Sequence, residues 1–427
     1  MPNSKRSSMT SQSQFLGRFL SRFRSSLLLS LLVLTLGGCS WSKKEAKNDG
    51  SLRVQIPFVT NGEYGLRVVE LLTLKNLPQL QGLAANFLID PDSASGRLKG
   101  RLPSIRYIRD TEGVIVPTDD LSLQLLTVYA HFEKLKSLDD QSGVGENLHW
   151  PQTVAVNAQF NSNDGMVENN ALYSGQYDAL LFVPYTQSSL PLMANGGVIG
   201  HEHFHAIFQK MLIGPLKSKY PENNRPTVHE RLSGADGIVE DSALRDKYHA
   251  VLMRGINEGL ADVWAWVYTG DTVFVGRSLP QEKLRRALDV QVERFSDKAE
   301  IFNAVSRGED PSYLLAMSYQ HGTQLARSIQ NFAKLYSGQK KIPLEQVRKM
   351  VGVAVIQSLS QMQKEFAQLK DTEFFTVSRA ANIFSQQIKD LNSNQCFYFL
   401  KLMPGEDRAS TQIGKNCSKL ESSESGT

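Results

Sequence analysis

The spacing of apolar side chains differs between the two halves of the chain. Alternation of apolar and polar residues, which is typical of strands, predicts strands over 52–56, 153–160, 166–173 and 177–185, with a turn over 161–165. From about Gly197 onward the apolar spacing becomes helical and remains so for most of the chain. Strands in the first half and helices in the second favour an α+β fold.

One helix is predicted inside the strand-rich half. Apolar residues recur there every three or four positions, behind two acids that can cap a helix N-terminus. The acids are Asp119 and Asp120, and the apolar residues are Leu121, Leu125, Val128, Phe132 and Leu135. We expect the helix to begin next to these acids.

The N-terminus has the features of an export signal. Five basic residues and no acid fall within the first 38 residues, and these include an apolar run over 27–36. The run is too short to span a bilayer as a helix, which takes roughly 20 residues. It ends in Leu36-Gly37-Gly38-Cys39, which resembles the lipobox of bacterial lipoproteins; an ordinary secretory signal with an incidental cysteine is the alternative.

The lipobox resemblance implies a membrane-anchored protein. Residues 1–38 would be the signal peptide, Cys39 the lipidated residue, and the polar segment 39–50 a tether. Ser40 follows the cysteine, and lipoproteins that lack Asp at this position go to the outer membrane in cells that have one. In other cells we expect the outer face of the cytoplasmic membrane.

Charge outside the signal segment is nearly balanced. The whole chain has a formal net charge of +4, but removing the five basic residues of the first 38 leaves 42 basic against 43 acidic residues. A protein that binds nucleic acid requires a clustered basic surface, so no nucleic-acid partner is expected.

Two cysteines, Cys396 and Cys417, remain near the C-terminus. In an exported protein they can form a disulfide, which would contribute on the order of 3 kcal/mol to stability. Two free thiols are the alternative.

The most specific motif is His-Glu-x-x-His, formed by His201, Glu202 and His205. Residues four apart on a helix project from one face, so the two histidines can share a zinc ion. Glu202 can then reach a water that the metal activates. His203 projects from nearly the opposite face, and we expect it to take no part.

A catalytic zinc site requires a third protein ligand and an open position. A helical stretch from Gly255, ended by Thr269-Gly270, offers Glu258 and Asp262, which are four apart and share a face. One of them can bind zinc while the other accepts the outer N–H of a ligating histidine. Two surface acids on an amphipathic helix are the alternative.

The order of these motifs resembles that of thermolysin and the related gluzincin metallopeptidases. As in that family, Asn257-Glu258 and Asp262 follow His-Glu-x-x-His, and Gly196-Gly197 precedes it. The segment 169–175 resembles the edge strand with which these enzymes bind a substrate backbone. The resemblance covers residues from about 152 to 270. It implies one zinc ion per chain, held by His201, His205 and Glu258, with Glu202 as the general base.

The resemblance also implies four supporting residues. Asp262 would support the first histidine of the motif, and Asn257 the second. Asn170 and Ala171 would hold the main chain of an extended polypeptide, which an unpaired strand edge can do; an ordinary hairpin is the alternative.

The sequence departs from the family in two places. About 50 residues separate His205 from Glu258, where thermolysin has a shorter connection, and we interpret 213–246 as an inserted irregular loop near the cleft. Val198-Ile199 stands where thermolysin has an acid that helps to bind calcium. The resemblance therefore does not support calcium as a second cofactor.

The residue that stabilises the transition state has two candidates. Family members use a histidine, sometimes with a tyrosine, on a later helix, and the segment 319–326 resembles that region. His321 stands several residues after the family's usual position for the histidine, so Tyr319 is the second candidate. A structural role for His321 is the alternative.

These inferences predict a two-lobed, thermolysin-like α+β fold. After the tether we expect a sheet-rich lobe over 51–212, the insertion 213–246, a helical lobe over 247–395 and a tail over 396–427. We expect the protein to be a zinc-dependent endopeptidase. It would hydrolyse extended polypeptides by a zinc-activated water, with Glu202 as general base. The alternative is a cell-surface lipoprotein that binds zinc and a partner without useful turnover. Glu202 argues against it, because zinc binding alone does not need this residue.

Overall fold

The computed structural model describes residues 51–92, 97–159, 161–162, 165–216, 241–292, 297–370 and 373–388, together with residues 391 and 396. All of them belong to the unit Gly50–Thr427. The predicted signal peptide and tether, the lipidation site Cys39, most of the predicted insertion, and Cys417 lie outside the described residues. Cys396 is disulfide-bonded.

Thirteen strands lie within these described ranges, and all of them precede the helical half. They are β1 (Leu52–Thr60), β2 (Glu63–Leu71), β3 (Leu74–Asn76), β4 (Gln81–Gly82), β5 (Ala85–Asp92), β6 (Lys99–Arg101), β7 (Tyr107–Arg109), β8 (Ile115–Pro117), β9 (Gln152–Val156), β10 (Asn161–Ser162), β11 (Gly165–Met166), β12 (Ala171–Ser174) and β13 (Ala179–Phe182).

The first larger sheet has the order β2-β1-β8-β7. β1 and β2 form an antiparallel hairpin, in which Thr60 lies opposite Glu63. Asn61 and Gly62 form the turn and have positive φ angles of 50° and 82°, which gives a two-residue turn the twist of the flanking strands. β8 pairs in parallel with β1, and β7 pairs antiparallel with β8.

The second larger sheet has the order β12-β13-β9-β5-β6, so β12 forms one of its edges. β5, β9 and β13 are parallel, and β12 runs antiparallel to β13. β9, β12 and β13 are shorter than the sequence predicted. The reason is that Asn157, Asn169 and Asp178 have positive φ angles of 56°, 57° and 47°, which interrupt the extended backbone.

Nine α-helices are described, and eight of them follow the second sheet. They are α1 (Asp120–Ser142), α2 (Gly196–Phe208), α3 (Asp241–Thr269), α4 (Phe274–Ser278), α5 (Lys283–Arg286), α6 (Asp297–Ser306), α7 (Pro311–Lys340), α8 (Leu344–Gln368) and α9 (Val377–Gln386). A π-helical turn, Gln209–Ile213, continues α2, and short 3₁₀ helices occur at Gly145–Asn147, Leu192–Ala194, Gly214–Leu216 and Pro280–Glu282. Sheets in the first half and helices in the second confirm the predicted α+β class. Because α3 begins at Asp241, the end of the predicted insertion is helical and not irregular.

Buried apolar side chains form two large clusters, and α2 contributes to both. The first cluster joins strands of both larger sheets to α1 and includes Tyr129 and Ile199. The second joins α3, α7 and α8 and includes Trp264 and Phe204. Since Ile199 and Phe204 both belong to α2, this helix runs from one cluster to the other, and His201 lies between them.

Helices α3 and α7 approach each other closely at three glycines. A Cβ on Gly259 would lie 2.4 Å from the carbonyl oxygen of Gly322. A Cβ on Gly322 would lie 2.5 Å from the carbonyl oxygen of Gly255 and 2.8 Å from the nitrogen of Gly259. Only hydrogen fits at Gly259 and Gly322, because the neighbouring atoms belong to the backbone of the facing helix, and a Cβ on Gly255 would lie a tight 3.1 Å from Ser318 O. We call this the glycine contact.

Substitution in the glycine contact should weaken the fold. We expect Gly322→Ala to lower the free energy of unfolding by about 1–3 kcal/mol, because the methyl group must push α3 and α7 apart. Gly338→Ala is a matched control on α7, since a Cβ there meets no atom within 4 Å. Alanine has a higher helix propensity than glycine, so the free energy of unfolding of the control should be unchanged or rise by up to about 1 kcal/mol. Denaturant unfolding compares the two, and equal stabilities would contradict the tight contact.

Candidate metal centre

Helix α2 carries both histidines of the motif, and Asn195 fixes where it begins. The side-chain oxygen of Asn195 accepts a hydrogen bond from Gly197 N at 3.0 Å, which caps the helix. Its side-chain nitrogen donates to Phe274 O and to Ser278 Oγ, both at 2.8 Å. The start of α2 is therefore tied to α4.

Helix α3 packs against α2 and brings Glu258 to the two histidines. His201 Nε2 lies 3.1 Å from His205 Nε2. Glu258 Oε2 lies 3.4 Å from His201 Nε2 and 3.9 Å from His205 Nε2. The side chains of His201 and Glu258 are less than a tenth exposed. Among the described residues, this is the one group of His, Cys, Asp and Glu side chains found that could hold a metal ion.

The arrangement fits a metal ion with the bond lengths of zinc. Tetrahedral bonds of about 2.0–2.1 Å place neighbouring ligand atoms about 3.3 Å apart, close to the separations of the His201, His205 and Glu258 atoms. Glu258 Oε2 is buried and has no hydrogen-bond partner in the described part of the chain. Buried lone pairs without a partner are costly, and one cation can bind all three ligand atoms.

Each histidine is oriented through its other ring nitrogen. His205 Nδ1 donates to Asn257 Oδ1 at 2.9 Å, and His201 Nδ1 lies 2.9 Å from Asp262 Oδ1. The proton that His205 Nδ1 donates to Asn257 leaves the lone pair of His205 Nε2 free for a metal ion, and a proton on His201 Nδ1, next to the Asp262 carboxylate, would do the same for His201 Nε2. Asn257 and Asp262 thus contact the two histidines in the pairing that the resemblance implied.

Arg286 is a buried member of the site that the sequence did not indicate. It donates to both carboxylate oxygens of Asp262, at 2.6 Å and 3.2 Å, and its Nη2 lies 3.9 Å from Glu258 Oε2. It belongs to α5, whose sequence Lys-Leu-Arg-Arg is typical of a solvated surface segment. No spacing or motif in the sequence identifies it as buried.

The carboxylates of the site favour positive charge between them. Burial opposes a charge on His201, yet Asp262 and Glu258 raise the pKa of this histidine to about 10. Burial likewise acts to raise the pKa of Glu258, but His205, His201 and Arg286 hold it at about 2. Surroundings that stabilise an ionised Glu258 and an extra proton on its neighbour also stabilise a metal cation.

His201, His205 and Glu258 are called the metal cluster below. Glu202 is adjacent to His201 but is not a member of this group. Burial raises the pKa of its carboxyl group to about 7, against the opposing charge of His201. Glu202 Oε2 accepts a hydrogen bond from the backbone nitrogen of Tyr173 at 2.9 Å. A carboxyl group that titrates near neutral pH is suited to accept and release a proton.

The open edge of β12 faces Glu202. Tyr173 N donates to Glu202, and Ala171 N donates to the side-chain oxygen of Asn170 at 2.9 Å. On the inner side, the carbonyl oxygen of Asn170 accepts from Val183 N. Asn170 and Ala171 therefore lie on a sheet edge that leads to Glu202, where main-chain groups can pair with an extended chain.

Of the two candidate donors, Tyr319 lies beside Arg286, the arginine that contacts Asp262. The centroid of its ring lies 5.1 Å from Arg286 Cζ, and the charge of Glu258 together with burial raises the pKa of Tyr319 to about 12. His321 lies two positions further along α7. Its Nε2 lies 3.5 Å from Glu300 Oε2, so His321 faces α6.

His203 faces away from the metal cluster, as its position on the helix predicted. Its Nε2 lies 2.9 Å from Asp139 Oδ2 of α1, and both side chains are buried. The contact ties α2 to α1.

No protein-family model matches this chain, and no curated protein matches it. Over the described ranges, none of the helices combines the length and the apolar character needed to cross a membrane.

Proposed function

We propose that the protein is a zinc-dependent endopeptidase that hydrolyses extended polypeptides. The observation that carries the proposal is the position of Glu202 between the metal cluster and the open edge of β12. Two imidazole nitrogens and one carboxylate oxygen are a ligand set of catalytic zinc sites, which keep a further position open. A site that only stores a metal has no need of a buried, proton-accepting carboxyl group beside it.

The fold we propose is the two-lobed arrangement of the thermolysin-like enzymes. Its support is the division of the apolar core into two clusters, with α2 running from one to the other. The metal cluster would then lie at the boundary of the two lobes, where substrate sites commonly occur.

A substrate would add to β12 as a further antiparallel strand. The backbone nitrogens of Ala171 and Tyr173 donate to the side chains of Asn170 and Glu202. Because Asn170 O pairs with Val183 N on the inner side, the alternation of an antiparallel ladder would place these two nitrogens along the outer edge of β12. A chain paired there extends past Glu202. Main-chain pairing does not depend on side chains, so unfolded segments of varied sequence would bind.

Glu202 would act as the general base. Zinc, when bound, supplies Lewis-acid polarisation of the substrate carbonyl and makes water more acidic. Glu202 accepts a proton from the attacking water and gives it to the departing amine as the carbon–nitrogen bond breaks. Burial, which raises the pKa of Glu202, makes this carboxyl group a better proton acceptor than an exposed one.

Tyr319 would stabilise the charge that develops on the substrate oxygen. With a pKa of about 12, its hydroxyl group remains protonated at neutral pH and can donate a hydrogen bond. Arg286 would hold Asp262, and through it the ring of His201. His321, beside Glu300, would have a structural role.

Removal of the Tyr319 hydroxyl group tests this assignment. We expect Tyr319→Phe to lower kcat about a hundredfold with unchanged zinc content, because one transition-state hydrogen bond is lost and the ring stays. Tyr313→Phe is the control, on the same helix and 48% exposed. Unchanged kcat in Tyr319→Phe, with a large loss in His321→Gln, would assign the role to His321.

The test of the function itself is proteolysis by the purified mature chain. It would be incubated with unfolded proteins, with and without a chelator, and the cleavage sites would be identified by mass spectrometry. We expect internal cleavage that chelation stops and added zinc restores. No cleavage of a broad set of proteins and peptides by the zinc-loaded chain would favour a surface lipoprotein that binds zinc without turnover.

We also propose that a lipid on Cys39 anchors the protein in the cell envelope, on the basis of Leu36-Gly37-Gly38-Cys39. In Cys39→Ser the acceptor thiol is missing, so the protein should leave the membrane fraction or accumulate as an uncleaved precursor. Fractionation and N-terminal mass analysis measure both. Unchanged membrane association and processing would contradict the lipoprotein proposal.

A further inference from the structure

Arg254 lies one helical turn before Glu258 on α3. Residues four apart on a helix share a face and lie about 6 Å apart along the axis, so Arg254 stands on the face that carries the carboxylate ligand. Its Cζ lies 5.7 Å from the centroid of the Tyr319 ring. The Cζ of Arg286 lies 5.1 Å from the same centroid. Two cations therefore neighbour the proposed transition-state donor.

The two arginines differ in their partners. Arg286 donates to both carboxylate oxygens of Asp262. Arg254 has no such partner: within the described residues, no carboxylate oxygen lies within 4 Å of its guanidinium group. Its Nε atom is buried, and over the same residues it has no hydrogen-bond partner. The guanidinium group of Arg254 therefore has donors left for a ligand.

The other charges of the site balance one another and leave the positive charge of Arg254 without a match. Glu202, Glu258 and Asp262 contribute three negative charges when ionised, and a divalent cation together with Arg286 matches them. The positive charge of Arg254 has no counter-ion among the described residues. A partly buried cation is stabilised when an anionic group of a ligand pairs with it.

We propose that Arg254 recognises a carboxylate of the substrate, one or two residues from the scissile peptide bond. The inference rests on the proposed function, because the metal cluster defines the bond that is broken. The spacing follows from the helix: about 6 Å along α3 corresponds to about two residues of an extended peptide. A guanidinium group and a carboxylate form two parallel hydrogen bonds, which are among the strongest in proteins.

Two sources can supply this carboxylate. One is the C-terminus of a peptide, in which case the enzyme trims peptides near their ends. The other is the side chain of Asp or Glu, in which case it cuts unfolded chains next to acidic residues. Both present the same group to Arg254, so the experiment must separate them.

Peptide hydroxamates provide the probe, because the hydroxamate binds the metal and fixes the register of the attached residues. Attachment at either end of a dipeptide places its residues on either side of the scissile position. Within each series, a dipeptide that contains Glu is compared with the same dipeptide that contains Gln. In the series whose C-terminus is not the hydroxamate, a free C-terminal carboxylate is also compared with a C-terminal amide. Calorimetry on the zinc-loaded mature chain gives each affinity.

We expect one series to bind its carboxylate member about tenfold to a hundredfold more tightly than the matched amide. Arg254→Gln should bring this ratio to about one. Arg254→Lys should keep part of it, because the charge remains without the planar fork. Arg307→Gln is the control, since Arg307 is exposed and pairs with Glu309, and it should leave the ratio unchanged.

The outcomes separate this inference from the proposed function. Preference for Glu identifies an internal acid, preference for the free end identifies the C-terminus, and either supports the role of Arg254 if Arg254→Gln abolishes it. A ratio near one in the wild type, or an unchanged ratio in Arg254→Gln, overturns it. If the chain prefers carboxylate ligands but cleaves no substrate, the role of Arg254 in recognition would stand and the proposed peptidase activity would be rejected. Failure of every hydroxamate to bind would reject the metal centre and this inference together.

Discussion

Glu202→Gln should slow peptide hydrolysis by at least about a hundredfold and leave the zinc content unchanged. Glutamine has the size of glutamate, and its side-chain oxygen can still accept the hydrogen bond from Tyr173 N. It cannot accept a proton from water. General-base catalysis typically contributes about 10²–10⁴-fold, so kcat should fall by that factor while the cluster of His201, His205 and Glu258 remains.

The experiment compares kcat, bound zinc and thermal stability in the wild type, Glu202→Gln and Glu345→Gln. Glu345 is a suitable control because it is exposed and pairs only with Lys349 among the described salt bridges. Equal, zinc-dependent cleavage by all three proteins would show that another group accepts the proton. Absence of cleavage by the wild type would instead support the binding lipoprotein.

Glu258→Ala should lose nearly all bound zinc, and hydrolysis with it. The substitution removes the only carboxylate of the cluster and leaves two imidazoles, which bind zinc far more weakly than three ligands do. It also removes one of the negative charges near Arg286. Elemental analysis after dialysis against a weak chelator should change from about one zinc per chain to near none.

Asp262→Asn gives this measurement a graded comparison. Asp262 contacts His201 but is not one of the three ligands, so its loss should lower zinc affinity by about 10–100-fold without abolishing binding. The expected order of affinities is wild type, Asp262→Asn, Glu258→Ala. Full zinc retention in Glu258→Ala would exclude Glu258 from the site.

Local spacing made each half of the candidate metal site predictable. The helix period alone places His201 and His205 on one face, and the same period places Glu258 and Asp262 together. The start of α1 was also predictable, because Asp119 accepts a hydrogen bond from Ser122 N at 2.8 Å and caps the helix. Each of these features depends on residues within one or two turns of each other, whereas the joining of Glu258 to the two histidines was implied only by the family resemblance.

Features that depend on distant residues were not predictable. Arg286 and Arg254 lie beside Tyr319 only because α5 and α7 fold against α3, and neither arginine lies in a recognisable motif. The sequence also did not indicate that Glu300 of α6 would lie beside His321. Strand ends were mispredicted for another reason: residues such as Asn169 adopt a left-handed backbone that periodicity does not reveal.

The glycine contact has a consequence for laboratory evolution of the site. Gly255, Gly259 and Gly322 set the distance between the helix of Glu258 and the helix of Tyr319, and any side chain there meets backbone atoms of the facing helix. Random libraries would find these positions intolerant although they bind neither metal nor substrate. Selection for a new cleavage preference should therefore enrich changes at positions such as Arg254, which alter the cleft surface without altering the spacing of the two helices.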